Sequence, residues 1–114
     1  MATYFGFAVA DSMFPLYAVI KKQPFNVENK AELEAAVSVC NGSHTATVEV
    51  ANSRFKLDIK IPIKPPIVSL GIGDSIIVMG VRGLPRLEDR RHYTKEEVDS
   101  ATFVFSKYTV VDEL

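Results

Sequence analysis

The chain has 114 residues and a formal net charge of −1, with 47% hydrophobic and 24% charged residues. That is the make-up of an ordinary globular protein, with length for one domain (residues 1–114) and one core. Near-neutral charge excludes a general binder of duplex nucleic acid, which carries a basic excess over its whole domain, so anion recognition has to come from a local cluster.

In chain order, "TYFGFAVA" is rich in aromatic and β-branched residues and predicts a first strand that ends at Asp11-Ser12. "LYAVIKKQPF" predicts a second, stopped by Pro24. Asn29 with Glu32 three positions on resembles a capping box, and Leu33, Val37 and Cys40 share one face of a short amphipathic helix over "KAELEAAVSVC". Asn41-Gly42 suits its stop. "TATVEV" and "RFKLDIKIPI", separated by Ala51-Asn52-Ser53, predict a β-hairpin. In its second arm Phe55, Leu57, Ile59, Ile61 and Ile63 alternate with Lys56, Asp58, Lys60 and Pro62. "KPP" breaks the chain and "GIGD" turns it into the apolar strand "SIIVMGV". Thr94 and Glu97 form a capping box for "KEEVDSA". "TFVFSKYTVV" predicts a closing strand. The expectation is an α+β fold with about six strands in a mixed, mainly antiparallel sheet and two short helices. Its exposed edges suit a sheet-extended dimer.

Cys40 is the lone cysteine, so no internal disulfide forms and a reducing interior is expected. It has no companion for a metal site. Apolar runs fall far short of the ~20 residues that span a membrane, and "MATYFGFAVADS" lacks a basic signal-peptide start. These readings point to a cytoplasmic protein without membrane contact, metal or cofactor.

The most informative segment is "GVRGLPRLEDRRHYTKEE", Gly80 to Glu97, which gathers Arg82, Arg86, Arg90, Arg91 and Lys95 beside His92. Gly83 and Pro85 shape the backbone, so Arg82 and Arg86 are offered from a turn. Guanidinium forks bind phosphate bidentately and stack on purines, which suits a nucleotide with more than one phosphate. A solvated loop whose arginines pair with Glu88, Asp89, Glu96 and Glu97 accounts for the same pattern. Arg54-Phe55 offers a cation and a ring for base stacking, or Phe55 simply opens a buried strand face. "GSHTAT" brings Ser43 and His44 together, for proton transfer, for phosphate contact, or as plain loop residues. "GIGD" lacks the lysine and helix of a phosphate loop.

"GDSIIVMGVRGLPRLEDRRHYTKEE" followed by "ATFVFSKYTVV" resembles the C-terminal half of a family of small viral proteins with a dimeric α+β fold. That family includes viral ring nucleases, anti-CRISPR proteins that degrade cyclic tetra-adenylate. "ELEAAVSVCNGSHTAT" is similar to their segment with a catalytic histidine, which would fall on His44. Two departures stand against cleavage. Arg86 follows Leu84-Pro85 where the nucleases keep a catalytic glutamate, and a guanidinium binds phosphate but moves no proton. The helix that follows the nuclease histidine is expected here to be replaced by the hairpin.

"YFGFAVADSMF" and the loop "RGLPR…R.YT.EE" resemble the Thoeris anti-defence type I family of phage sponges, over most of the chain. That resemblance implies a non-enzymatic protein with no catalytic residues. It would bind cyclic ADP-ribose isomers made by bacterial TIR proteins, and in some members cyclic di- or trinucleotides at separate sites. A homodimer or dimer-based hexamer in the infected bacterial cell is implied as well. Carried over residue by residue, Arg82 and Arg86 would grip the pyrophosphate or stack on adenine, with Phe55 and Arg54 on the base from the facing hairpin. Ser43, His44 and Arg90 would assist. The alternatives are a ring nuclease using His44 and a host-takeover factor whose arginines meet an acidic protein.

Overall fold

Ser75 to Arg82 alternate cleanly, with Ile77, Met79 and Val81 on one side of the strand and Ile76, Val78, Gly80 and Arg82 on the other. Both sides of its first half are buried, as a strand in the middle of a covered sheet requires. The computed structural model describes residues 2–40, 45–83 and 94–113. In these, β1 (Thr3–Gly6), β2 (Ala18–Pro24), β3 (Val37–Ser38), β4 (Ser75–Arg82) and β5 (Thr102–Glu113) accompany α1 (Lys30–Ala35), α2 (Thr45–Phe55) and α3 (Lys95–Ser100). The strands form one sheet in the order β2-β5-β4-β1-β3. β1 runs parallel to β3 and β4, whereas β5 is antiparallel to β2 and β4. The fold is thus α+β on a mixed sheet, as expected. It has five strands among the described residues, not about six, and two of its four pairings are parallel.

The expected hairpin does not form. Its first arm and turn are α2, which buries Val48, Val50 and Ala51. Val48, Ala51 and Phe55 follow the three-and-four spacing of a helix face, and that face lands on Phe5, Met79 and Phe105 of the sheet. Tertiary burial here overrides the strand preference of the β-branched valines. Lys56 closes the helix at φ 55°, and Leu57 N–H donates to Asn52 O at 3.0 Å, the six-to-one bond of a Schellman stop.

The second arm is extended but unpaired with any strand. Its alternation still has meaning, because Leu57 is buried and Ile59 and Ile61 pack on the core. Side chains supply the backbone partners that a ladder would otherwise provide. Ile59 N–H donates to Asn52 Oδ1 at 2.8 Å, Asn52 Nδ2 donates to Ile59 O at 3.1 Å, and Ser38 Oγ donates to Lys60 O at 2.6 Å.

Both expected helices are present, with altered detail. α1 ends at Ala35 instead of reaching Cys40, because Val37 and Ser38 turn extended to pair with Tyr4 and Phe5. Asn29 makes no side-chain bond to the helix backbone; its Nδ2 donates to Glu32 Oε2 at 2.8 Å. Glu32 also pairs with Lys107 of β5, which fastens α1 to the sheet. At α3 the box is complete. Thr94 N–H donates to Glu97 Oε1 at 2.8 Å, and Glu97 N–H donates to Thr94 Oγ1 at 3.2 Å.

Two apolar clusters sit on opposite faces of the sheet. The helix-bearing face holds Phe5, Leu33, Cys40, Val48, Ala51, Leu57, Ile77, Met79 and Phe105. Burial pushes the Cys40 thiol up in pKa, against a smaller opposing effect of Ser38, so this cysteine is an inert core residue. On the other face no described α-helix packs; the one helical turn there is the short 3-10 segment Asp11–Met13. Val68, Leu70, Met13 and Phe14 from connecting segments cover only the end that carries Ile76 and Val110. Among the described residues, the rest of that face, toward Arg82, is left open.

"GIGD" is the turn it promised to be. Asp74 N–H donates to Gly71 O at 2.9 Å, and its carboxylate accepts from Ala2 N–H at 2.8 Å and Gly71 N–H at 2.9 Å. These two amides, Ala2 first, hold the Asp74 carboxyl below the usual carboxylate range. A depressed folded-state pKa adds stability above the unfolded value of about 3.9, and that stability is lost as pH falls through the folded value. Urea midpoints of wild type and Asp74→Asn should therefore differ at neutral pH and converge on acidification. A gap that stays constant down to the acid limb would contradict this role.

Candidate functional site

The open half of the second face is a groove of about 270 Å³ lined by Lys22, Val78, Gly80, Val81, Arg82, Val104, Ser106 and Tyr108. Strand register explains the gathering. Lys22 lies opposite Tyr108, Pro24 and Val78 opposite Ser106, Gly80 opposite Val104, and Arg82 opposite Thr102. Residues directly opposite share a face, so β2, β5 and β4 contribute one continuous surface. Val78, Gly80 and Val104 make its apolar floor, and Val104 is 52% exposed. The two cations stand at its ends, six β5 residues apart in register, or about 20 Å of strand. Lys22 Nζ lies 5.5 Å from the centre of the Tyr108 ring, within cation–π range.

Among the described residues the lining brings two cations, a phenol and a hydroxyl, with no carboxylate. Its volume is near the lower bound of the ~300–1,000 Å³ typical of small-molecule pockets. Its lining carries positive charge and its size is that of a small-molecule pocket.

Arg82, the first arginine of the cluster, therefore lies in this groove. Arg86 and Arg90, with the rest of 84–93, and Ser43 and His44 lie outside the described residues. Arg54 and Phe55 are the last two residues of α2, not part of a hairpin, and sit on the helix-bearing face. The Phe55 ring packs edge-on against Phe103 and Phe105, with centroids 5.4 and 5.5 Å away. Arg54 Nη1 donates to Ala101 O at 2.8 Å and its guanidinium lies 5.2 Å from the Phe103 ring centre. Since Arg82 pairs with Thr102, both arginines mark one end of the sheet but from opposite faces.

Lys22 and Tyr108 were not singled out by sequence. Both occur in ordinary alternating strands, and only the β2–β5 ladder shows that they meet. No group of three or more His, Cys, Asp or Glu side chains arranged to hold a metal occurs among the described residues. No helix among them is long and apolar enough to cross a membrane.

Gly83, directly after Arg82, has φ +87°, and a Cβ there would lie 3.2 Å from Ser100 O. Glycine is thus required by both conformation and space as the chain leaves β4. Gly83→Ala should cost about 1–2 kcal/mol, read as a lowered denaturant midpoint with unchanged slope. A neutral or stabilising result would show that this turn is not fixed.

No protein-family model matches the chain, and no curated protein does. Among solved structures, B116 of Sulfolobus turreted icosahedral virus is similar with a TM-score of 0.69 and 13% identity, over 96% of this chain and 99% of that one. At that identity the likeness is one of fold, shared with a small viral protein along nearly the whole chain.

Proposed function

We propose that this protein is a phage anti-defence sponge that binds cyclic ADP-ribose isomers and withholds them, uncleaved, from the bacterial effector they activate. The observation that carries this reading is the groove itself, with Arg82 and Lys22 at the ends of an apolar floor and Tyr108 beside it. Such a site fits a ligand that combines a flat purine with a pyrophosphate. The viral fold likeness and the resemblance of "YFGFAVADSMF" and "RGLPR" to the Thoeris anti-defence family support the same reading. Arg86, Arg90, Ser43 and His44 would complete the grip.

A sponge must hold its ligand tightly; nanomolar affinity corresponds to about −12 kcal/mol. An open groove needs a cover to reach that, which a second subunit would provide. The short edge strand β3, with Val37 exposed, and the outer edge of β2 are the sheet borders at which a homodimer or a dimer-based hexamer would form.

The test is to mix protein with each cyclic ADP-ribose isomer, filter, denature the protein by heat and assay what is released. Recovery of intact ligand is expected; failure to deplete any isomer would overturn the proposal. One observation favours a second reading. α2 follows directly on His44, where the viral ring nucleases also keep a helix. If the protein is such a nuclease, cyclic tetra-adenylate will be linearised by wild type and spared by His44→Ala.

A further inference from the structure

Among the described lining residues Gly80 is the one without a side chain, and it lies in the middle of the groove floor. Its place there is not forced by the fold. Its backbone is not in the left-handed region, and an added Cβ would find only Val104 O, at an ordinary 3.7 Å. Glycine within a strand weakens it and gives up packing, and such a position marks a bulge, a bend or the close approach of a ligand or another backbone. The β4–β5 register runs unshifted through Gly80, which leaves close approach. The neighbouring β4 residues on this face are a valine and an arginine, so the missing side chain leaves a flat opening bordered by Val78, Val104 and Arg82. On β5, Ser106 and Tyr108 continue the same surface toward Lys22.

We infer that Gly80 is the seat of a planar heterocycle, and that the groove takes a purine nucleotide lying along β5 over this position. The ring rests on the Gly80 backbone and the Val104 side chain. Arg82 takes the phosphates at one end. At the other, Lys22 supplies positive charge and holds the Tyr108 ring against the ligand. This deepens the proposed function and rests on it, naming the purine seat and the residues that decide which ligands fit. Bulk at position 80 then acts as a selectivity filter. A valine there removes the ring's place without touching either cation.

The probes are cyclic ADP-ribose and linear ADP-ribose, titrated calorimetrically at low salt and at 0.5 M salt. Gly80→Val should weaken the tighter of the two at least tenfold while leaving the melting temperature equal to or above wild type, because valine favours a strand. Lys22→Ala should weaken it about tenfold and flatten the salt dependence, since one exposed cation is lost. Val104→Glu is the control if Gly80→Val misfolds. It alters an exposed side chain, places a carboxylate on the floor, and should abolish binding of both anions. If wild type binds while Gly80→Val and Val104→Glu bind equally well, the groove is not the seat, and the sponge reading stands with its site elsewhere. If wild type binds neither probe nor any cyclic ADP-ribose isomer, the functional reading falls and this inference with it.

Discussion

Phe5→Ala should cost about 3–5 kcal/mol, the range for removing a buried phenylalanine. Phe5 is 1% exposed and lies in β1 between Ile77 of β4 and Ser38 of β3. Its side chain belongs to the cluster that receives Leu33 of α1 and Val48 and Ala51 of α2, and its ring meets Phe7 edge-on at 6.2 Å. Truncation therefore removes contacts to two strands and two helices together and leaves a cavity between them. In a domain whose whole stability is about 5–15 kcal/mol, that is a large fraction of it, and the melting temperature should fall markedly. Equilibrium denaturation measures this directly, and a loss under 1 kcal/mol would mean that the helices do not close on β1 as described.

The second large effect concerns binding. Arg82→Glu should reduce affinity for a captured cyclic ADP-ribose isomer by at least about 100-fold, or about 2.7 kcal/mol. Charge reversal removes a guanidinium fork and sets a carboxylate against the phosphates. Arg82 is exposed at the end of β4, so folding should be unaffected. Calorimetric titration with a parallel melt separates the two readouts. A loss smaller than threefold would take the anion grip away from the groove and assign it to residues beyond Gly83.

β2, β4 and β5 were legible as runs rich in β-branched and aromatic residues, whereas β1 was legible only at its start, since it ends at Gly6 and not at the expected Asp11-Ser12. The α3 box was legible because its two partners are three positions apart. α2 was not. Val48 and Val50 alternate and are β-branched, so local preference spoke for a strand while the spacing of Val48, Ala51 and Phe55 spoke for a helix. What decided was the apolar surface waiting on the sheet, which no window around residue 50 contains. The groove divides the same way. Arg82 stood out as the first charge after an apolar run. Lys22 and Tyr108 are unremarkable apart from each other and meaningful only once β2 and β5 are neighbours. Arg54-Phe55 was visible as a pair, yet the helix turns both toward Phe103 and away from the groove.

The position of β5 has a consequence for synthesis. It is the last of the described strands in chain order, but it lies second in the sheet and is the only described strand that pairs with β2. A nascent chain on the ribosome must keep β2 unpaired until β5 has been translated. Neither antiparallel ladder can form until residues 102–113 emerge, and such long-range closure slows folding. The groove floor is shared between β4 and β5, so an incomplete polypeptide has no pocket at all. A complete groove should appear only once residues 102–113 have emerged, in step with the cooperative closing of the sheet.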